Sequence, residues 1–450
     1  MELYNKLPQN LDAFITTYLQ PNKKFLDEVA TAIDQICNFL KESTFTSDQR
    51  SVKVIKIIKG GSFGKGTALK NGSDADLVVF FNHFCSFEDQ RNKRDEMLNK
   101  LHEYLLLYQE QNSFAFELTM SKPQMIKYSS WFDTLTFGLF SSPNNVRTKP
   151  PKSLSFQMKS NEDSDAIKFD VLPAYDALGQ ATYSRPDPEI YIRLIELKAA
   201  RGEFSTSFTE LQRDFVRKSP TKLKSLIRLV KYWYKEYVRR LHKQNLRSGE
   251  FLPHKYALEL LIIYAWESTK QGQNFNTAEG FRTLLELVVR YQELWLFWTE
   301  YYDFSHPDLK EYLTVKLQGP KPIILDPADP TGNMAEKVRW DLVAREARRC
   351  LQQTCVQGVV GWNVEPVKRI SVTIIPPQNV YIVTDRLSIN PFSRIMSIKV
   401  AILETTEYQM NNYYLELEGT VLEDRKTLAS YGVFTKVTLF LKESSSCSLM

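Results

Sequence analysis

The sequence predicts an α+β protein: an α/β core, a helical domain, and a small strand-rich domain at the C-terminus. Strand-like and helical runs alternate up to residue 186. From 187 to 351, apolar residues recur at three- and four-residue spacing. After residue 369, short alternating segments return. The 450 residues allow two or three domains, and 43% hydrophobic with 25% charged residues is ordinary for a folded chain.

The first two elements are amphipathic helices, Leu11 to Leu19 and Lys24 to Glu42, the second with Phe25, Val29, Ile33, Ile36 and Leu40 on one face. Val52 to Ile58 alternates apolar residues with lysine and reads as a strand. A glycine-rich stretch from Gly60 to Gly66 interrupts it, and Leu77-Val78-Val79-Phe80-Phe81 reads as a buried strand. A helix over Arg91 to Gln111 follows, then strands near Thr134 to Phe140, Ser153 to Met158 and Ala166 to Val171. The helical part offers Glu189 to Arg201, Phe208 to Arg217, Thr221 to Lys243, His254 to Ser268, Thr277 to Thr299 and Glu336 to Leu351. Pro186, Pro188 and Pro220 sit at or near helix starts, where proline is tolerated. Pro320 to Pro330 reads as a joint and Gln352 to Pro366 as a linker. Ile370 to Ile374 then alternates, Arg394 to Leu403 is helical, and short strands close the chain.

Composition narrows the functional classes. No apolar run approaches the roughly 20 residues that span a bilayer. The N-terminus lacks a signal-peptide core, so a cytoplasmic protein is expected. Five scattered cysteines and no Cys-x-x-Cys pair exclude a disulfide framework and a structural zinc site, and they read as free thiols. Net charge is only +5, but its distribution is uneven. Between Gln212 and Arg247, twelve Lys/Arg stand against Asp214 and Glu236 alone, which suggests a polyanion partner.

The chemistry concentrates around Gly61-Ser62, followed after eleven residues by Asp74-Ala75-Asp76 and the apolar strand. Residues two apart on a strand share a face, so both carboxylates project together. Such a pair repels itself unless a cation lies between, and Mg²⁺ is the simplest oxygen-seeking candidate. The Gly-Ser turn offers backbone N–H groups and a hydroxyl to a triphosphate. A Walker A loop is excluded: Gly61 and Gly66 have the right gap, but Thr67 and Ala68 follow instead of Lys and Ser/Thr. A third carboxylate is Asp170, alone among apolar residues in Ile167 to Pro173; Asp176 competes but falls beyond Pro173. Three carboxylates suit two-metal phosphoryl transfer.

This pattern resembles the DNA polymerase β-type nucleotidyltransferases. Within them the resemblance sharpens to the 2′-5′-oligoadenylate synthetase family, through Gly60 to Thr67, Ser73 to Val78, Phe169 to Ala174, Thr221 to Lys231, Tyr256 to Leu261 and Leu325 to Thr331. The resemblance covers roughly residues 1 to 350. It implies a polymerase β-like nucleotidyltransferase core with N-terminal helices over 1–186 and a helical domain over 187–351. It implies ATP as donor and acceptor, a 2′-5′ linkage, pyrophosphate release, activation by double-stranded RNA, and a place in antiviral innate immunity. It makes Asp74, Asp76 and Asp170 the catalytic metal ligands, and Ser62, Lys65, Arg228, Lys231, Lys255 and Tyr256 the nucleotide contacts. Many members carry Gln where Lys255 stands. For RNA the matching positions are Lys41, Lys59, Arg213, Arg217 and Lys222, whose cations would read A-form shape. The family places that surface opposite the active site, so RNA would act allosterically, with Lys59 next to the Gly-Ser turn as the coupling route.

After a linker over 352–368, residues 369–443 resemble ubiquitin, most specifically over Gly419 to Gly432. This implies a ubiquitin-like β-grasp domain with a protein partner, as in the oligoadenylate synthetase-like proteins. Some relatives with this tail lack the carboxylates and act as RNA-binding signalling adaptors, the alternative function. A cyclic GMP-AMP synthase-like enzyme shares the core, but its zinc ligands are absent. In the tail 444–450, Cys447-Ser448-Leu449-Met450 fits a farnesylation box, implying reversible endomembrane association.

Overall fold

The computed structural model describes residues 2–47, 50–70, 74–111, 117–120, 126–127, 148–149, 153–159, 167–179, 185–269, 271–377, 386–403 and 413–443. The strand expected over Thr134 to Phe140 and the farnesylation box lie outside these residues, as does the side chain of Asp74. The chain divides into two compact units: 1–292, 297–303 and 322–364 form one, and 293–296, 304–321 and 365–450 the other.

The first unit is built on helix α1 (Lys23–Glu42), strands β1 (Thr44–Ser47) and β2 (Arg50–Lys59), the short helix α2 (Gly61–Lys65), β3 (Asp74–Phe81), α3 (Phe87–Gln111), β4 (Glu117–Met120), β5 (Leu154–Lys159) and β6 (Ile167–Ala174). Asn22 starts α1 by accepting the Phe25 N–H at 2.8 Å. The six strands run in the order β1-β2-β3-β6-β5-β4, with β3 and β6 parallel at the centre. Alternation decides what each face does. Ala75, Leu77, Val79 and Phe81 of β3, with Ile167, Phe169 and Val171 of β6, enter the main core beneath α1 and α3. The intervening Val78, Phe80 and Ala174 form a smaller cluster on the other face, the face that also takes Asp76 and Asp170. A bulge between Val54 and Lys56 switches the parity of β2, so Val54 and Ile57 meet the main core while Ile58 joins the small cluster.

Helices α4 (Pro188–Glu196), α5 (Thr209–Arg217), α6 (Thr221–Trp233), α7 (Lys255–Thr269) and α8 (Thr277–Val289) follow. The helix expected over Thr277 to Thr299 stops at Val289. The residues beyond, Leu294 to Trp298, are all buried, and Trp295–Leu296 is extended strand rather than helix. The expected joint Pro320 to Pro330 is packed instead: Ile323, Ile324, Leu325, Asp326, Ala328 and Asp329 are buried. The chain passes between units between Lys321 and Pro322. In the stretch expected as a linker, Cys355 and Val356 are buried and the Trp362 N–H donates to Thr283 Oγ1 at 2.7 Å.

The second unit holds β7 (Ile370–Ile375), β8 (Arg386–Ile389), the helix Ile395–Leu403, β9 (Tyr413–Leu417), β10 (Thr420–Val421) and β11 (Val437–Glu443). The sheet order β8-β7-β11-β9-β10, with β7 and β11 parallel and the helix over one face, is the ubiquitin-like β-grasp. Its core joins Val372, Ile374, Leu439 and Leu441 to Ile395, Ile398 and Ile402. The helix Pro307–Gln318 and Trp295 belong to this unit, the Trp295 indole donating to Leu317 O at 2.9 Å. That helix escapes the sequence reading, although Pro307 at its start and Leu309, Leu313 and Leu317 at four-residue spacing mark it. Among the described residues no helix is long and apolar enough to cross a membrane.

Candidate active site

Two strands and three helices of the first unit meet at a cavity of about 400 Å³. Asp76 of β3 and Asp170 of β6 are register partners on adjacent parallel strands, and both line it. Asp74 stands two residues earlier on β3, opposite Lys168. Asp170 accepts a short hydrogen bond from Ser155 Oγ, and Lys168 Nζ lies 3.6 Å from its other oxygen. Among the described residues no set of three metal-ligating side chains gathers, Asp74's side chain standing outside them. Two hard carboxylates aligned in register fit an oxygen-seeking divalent ion.

The Gly-Ser stretch is the short helix α2, and it is sterically locked. The Gly60 N–H donates to Asp76 O at 2.8 Å, tying the turn to β3. Gly61 has φ +57°, and a Cβ there would lie 2.0 Å from Asp76 Oδ2. A Cβ on Gly64 would lie 2.1 Å from Lys59 O, with Arg213 Cδ at 3.4 Å. Only glycine permits this approach.

Ser62, Lys65, Lys231, Lys255 and Tyr256 line the cavity with the two aspartates. Lys231 is 2% exposed; its ammonium donates to Ser62 Oγ at 2.7 Å and to Thr67 Oγ1 and O at 3.1 and 3.2 Å. Arg228 is turned to the same turn's backbone, donating to Gly66 O at 2.7 Å and Ala68 O at 3.0 Å. Lys65 Nζ sits 3.8 Å from the Tyr256 ring centroid, a cation–π contact.

Three site residues are missed by the sequence reading. Glu259 accepts from both Lys65 and Lys231 at 3.0 Å. Burial raises its pKa, but the two ammoniums outweigh that and hold it down to about 2. His254 is pushed down to about 4 by burial and by Lys65, so its ring is neutral at pH 7. Asp326 is raised to about 7 by burial and by the nearby charge of Asp329, and accepts from the Tyr256 hydroxyl at 3.2 Å and from Gln212. The lone acid in Tyr256-Ala257-Leu258-Glu259-Leu260-Leu261 was the available signal, since a buried carboxylate demands a cation.

The polyanion candidates lie elsewhere on this unit. Lys41 lies in the last turn of α1 and Arg217 ends α5, both exposed. Lys59 pairs with Asp34 at 2.8 Å, Lys222 with Asp12 at 2.6 Å, and Arg213 with Asp214 at 2.8 Å.

Comparison with known proteins decides the family. Residues 184–371 match the profile described as 2′-5′-oligoadenylate synthetase 1, domain 2, C-terminus, and residues 43–122 that of a nucleotidyltransferase domain. The chain is 48% identical over 374 residues to 2′-5′-oligoadenylate synthase 1A of Rattus norvegicus, covering 81% of this chain and 96% of that one. This chain belongs to the 2′-5′-oligoadenylate synthetase family. It is also 37% identical over 455 residues to 2′-5′-oligoadenylate synthase-like protein 2 of Mus musculus, covering 98% of this chain and 84% of the other. As a member of the synthetase family it joins a nucleotidyltransferase core and helical domain to a C-terminal β-grasp.

Proposed function

We propose that this member of the family polymerises ATP into 2′-5′-linked oligoadenylates when double-stranded RNA binds, releasing pyrophosphate, as part of antiviral defence. The observation that carries the reading is the register pairing of Asp76 with Asp170 beside Ser62 and Lys65 in one cavity. The names of the relatives supply the substrate. In the reaction the acceptor's 2′-oxygen bonds to the donor's α-phosphorus, its hydroxyl proton passes to solvent, the bond from that phosphorus to the bridging oxygen of the β-phosphate breaks, and pyrophosphate leaves. Asp74, Asp76 and Asp170 would hold Mg²⁺, which when bound acidifies the attacking hydroxyl and neutralises the triphosphate. Ser62 and Lys65 face the triphosphate, with Lys231 behind Ser62 and Arg228 bracing the turn. Tyr256, fixed by Asp326, and Lys255 form the wall for the donor base.

RNA contact by Lys41, Lys59, Arg213, Arg217 and Lys222 would reach the site through α2, whose Gly64 packs on Lys59 O while Ser62 faces the cavity. The β-grasp unit would recruit a protein partner, and a farnesyl group on Cys447 would give weak, reversible membrane association of an otherwise cytoplasmic protein. Incubating the full chain with ATP, Mg²⁺ and double-stranded RNA and resolving the products tests the reading. RNA-dependent 2′-5′ oligomers are expected. RNA binding with no nucleotide product would replace the enzyme with a signalling adaptor.

A further inference from the structure

Glu259 stands within ten consecutive buried positions of α7, Tyr256 to Ala265. A carboxylate there is costly unless paired, and its two oxygens are divided between two ammoniums, Oε2 to Lys65 and Oε1 to Lys231, each at 3.0 Å. The Lys231 ammonium has three N–H groups and four acceptors within 3.2 Å: Glu259 Oε1, Ser62 Oγ, Thr67 Oγ1 and Thr67 O. Lysine has no acceptor atom, so in the 2.7 Å contact Ser62 Oγ can only accept. The serine proton is thereby left to donate, and Ser62 lines the cavity that Asp76 and Asp170 face.

We propose that Glu259 is a positioning residue: by holding Lys231 against Ser62, it fixes the Ser62 hydroxyl as a hydrogen-bond donor to the nucleotide triphosphate. This deepens the ATP reading above and rests on it. Glu259 also shares its single negative charge between two cations, which leaves the cavity wall with a net positive charge for a polyanion. Replacing it leaves Lys231 buried beside Lys65 without a counter-charge, and the ammonium loses its reason to stay at Ser62.

The test is a thermodynamic cycle on the full chain with double-stranded RNA and Mg²⁺, reading ATP KM, kcat and equilibrium Mg·ATP binding. Glu259→Gln and Ser62→Ala should each raise the ATP KM about tenfold, with a smaller fall in kcat, the scale of one charge-assisted hydrogen bond. The double variant should be no worse than Ser62→Ala. If the two losses multiply, Glu259 does not act through Ser62 and the inference fails. Should Glu259→Gln not fold, the pair Glu259→Gln with Lys231→Met removes both charges together. Adding Ser62→Ala to that pair should then change nothing, and a further tenfold loss overturns the inference. A wild-type chain that binds Mg·ATP but forms no oligomer sinks the polymerase reading alone, and the cycle is then read from binding. A wild-type chain that binds no ATP sinks both.

Discussion

The six-stranded and the five-stranded sheet each hold one parallel strand pair, and they treat their acidic residues oppositely. In the β-grasp sheet Glu416 of β9 is answered by Lys442 of the neighbouring β11 at 2.9 Å. In the N-terminal sheet Asp76 of β3 is answered in register by Asp170 of β6, another carboxylate. The first arrangement is complete in itself. The second sets two carboxylates side by side, with Ser155 Oγ and Lys168 at Asp170, and it lies in a cavity rather than on an open face. Adjacent carboxylates on a cavity wall speak of cation chemistry, whereas a strand carboxylate met by a diagonal lysine does not.

Charge removal on the two sheets should break this symmetry most sharply. Asp170→Asn is expected to lower oligoadenylate yield by about three orders of magnitude or more, the scale of a lost metal ligand at a phosphoryl-transfer site. Its thermal midpoint should hold or rise, since like charges are separated. Glu416→Gln should leave product formation unchanged, and an equal loss there would erase the contrast. Gly61→Ala comes next, because its Cβ would meet Asp76 Oδ2 at 2.0 Å in a left-handed backbone. Displacing that carboxylate by about 1 Å should cost about a hundredfold in turnover, with about 1–3 kcal/mol of stability lost from the strained φ. Lys59→Glu should lower RNA-stimulated synthesis about tenfold; unchanged stimulation would remove α2 as the coupling route.

The smallest effects are on stability against pH, where two buried acids act in opposite windows. Glu259, held near 2 against an ordinary 4.5, contributes stability that is present above 4.5 and lost as pH falls toward about 2. Asp326, raised to about 7 from an ordinary 3.8, contributes stability that is full below 3.8 and lost as pH rises toward about 7. Thermal midpoints measured across both windows should show the two slopes, and Asp326→Asn should flatten only the upper one.

Alternation made much of this legible. The shared face of Asp74 and Asp76 was readable from the period of a strand, whereas the register that sets Asp76 beside Asp170 is a finding of the structure. The β-grasp was legible through the resemblance of Gly419 to Gly432 to ubiquitin, with alternation giving only its strands. Glu259 stood out as a lone acid in an apolar run, but its role was hidden because its partner Lys65 is 194 residues away in sequence. Asp326 was hidden because its partners Tyr256 and Gln212 are 70 and 114 residues away in sequence. The end of α8 was misjudged because bulky apolar residues continue past Val289 at densities that suit a helix or a buried extended run equally.

Gly64 has a mechanical consequence. Its Cα lies so near Lys59 O that even a methyl group would not fit, and its N–H is bonded to Gly60 O at 2.9 Å. The backbone from Lys59 to Gly64 is therefore closed tightly on itself around Ser62, and any side chain larger than hydrogen at Gly64 would have to open it.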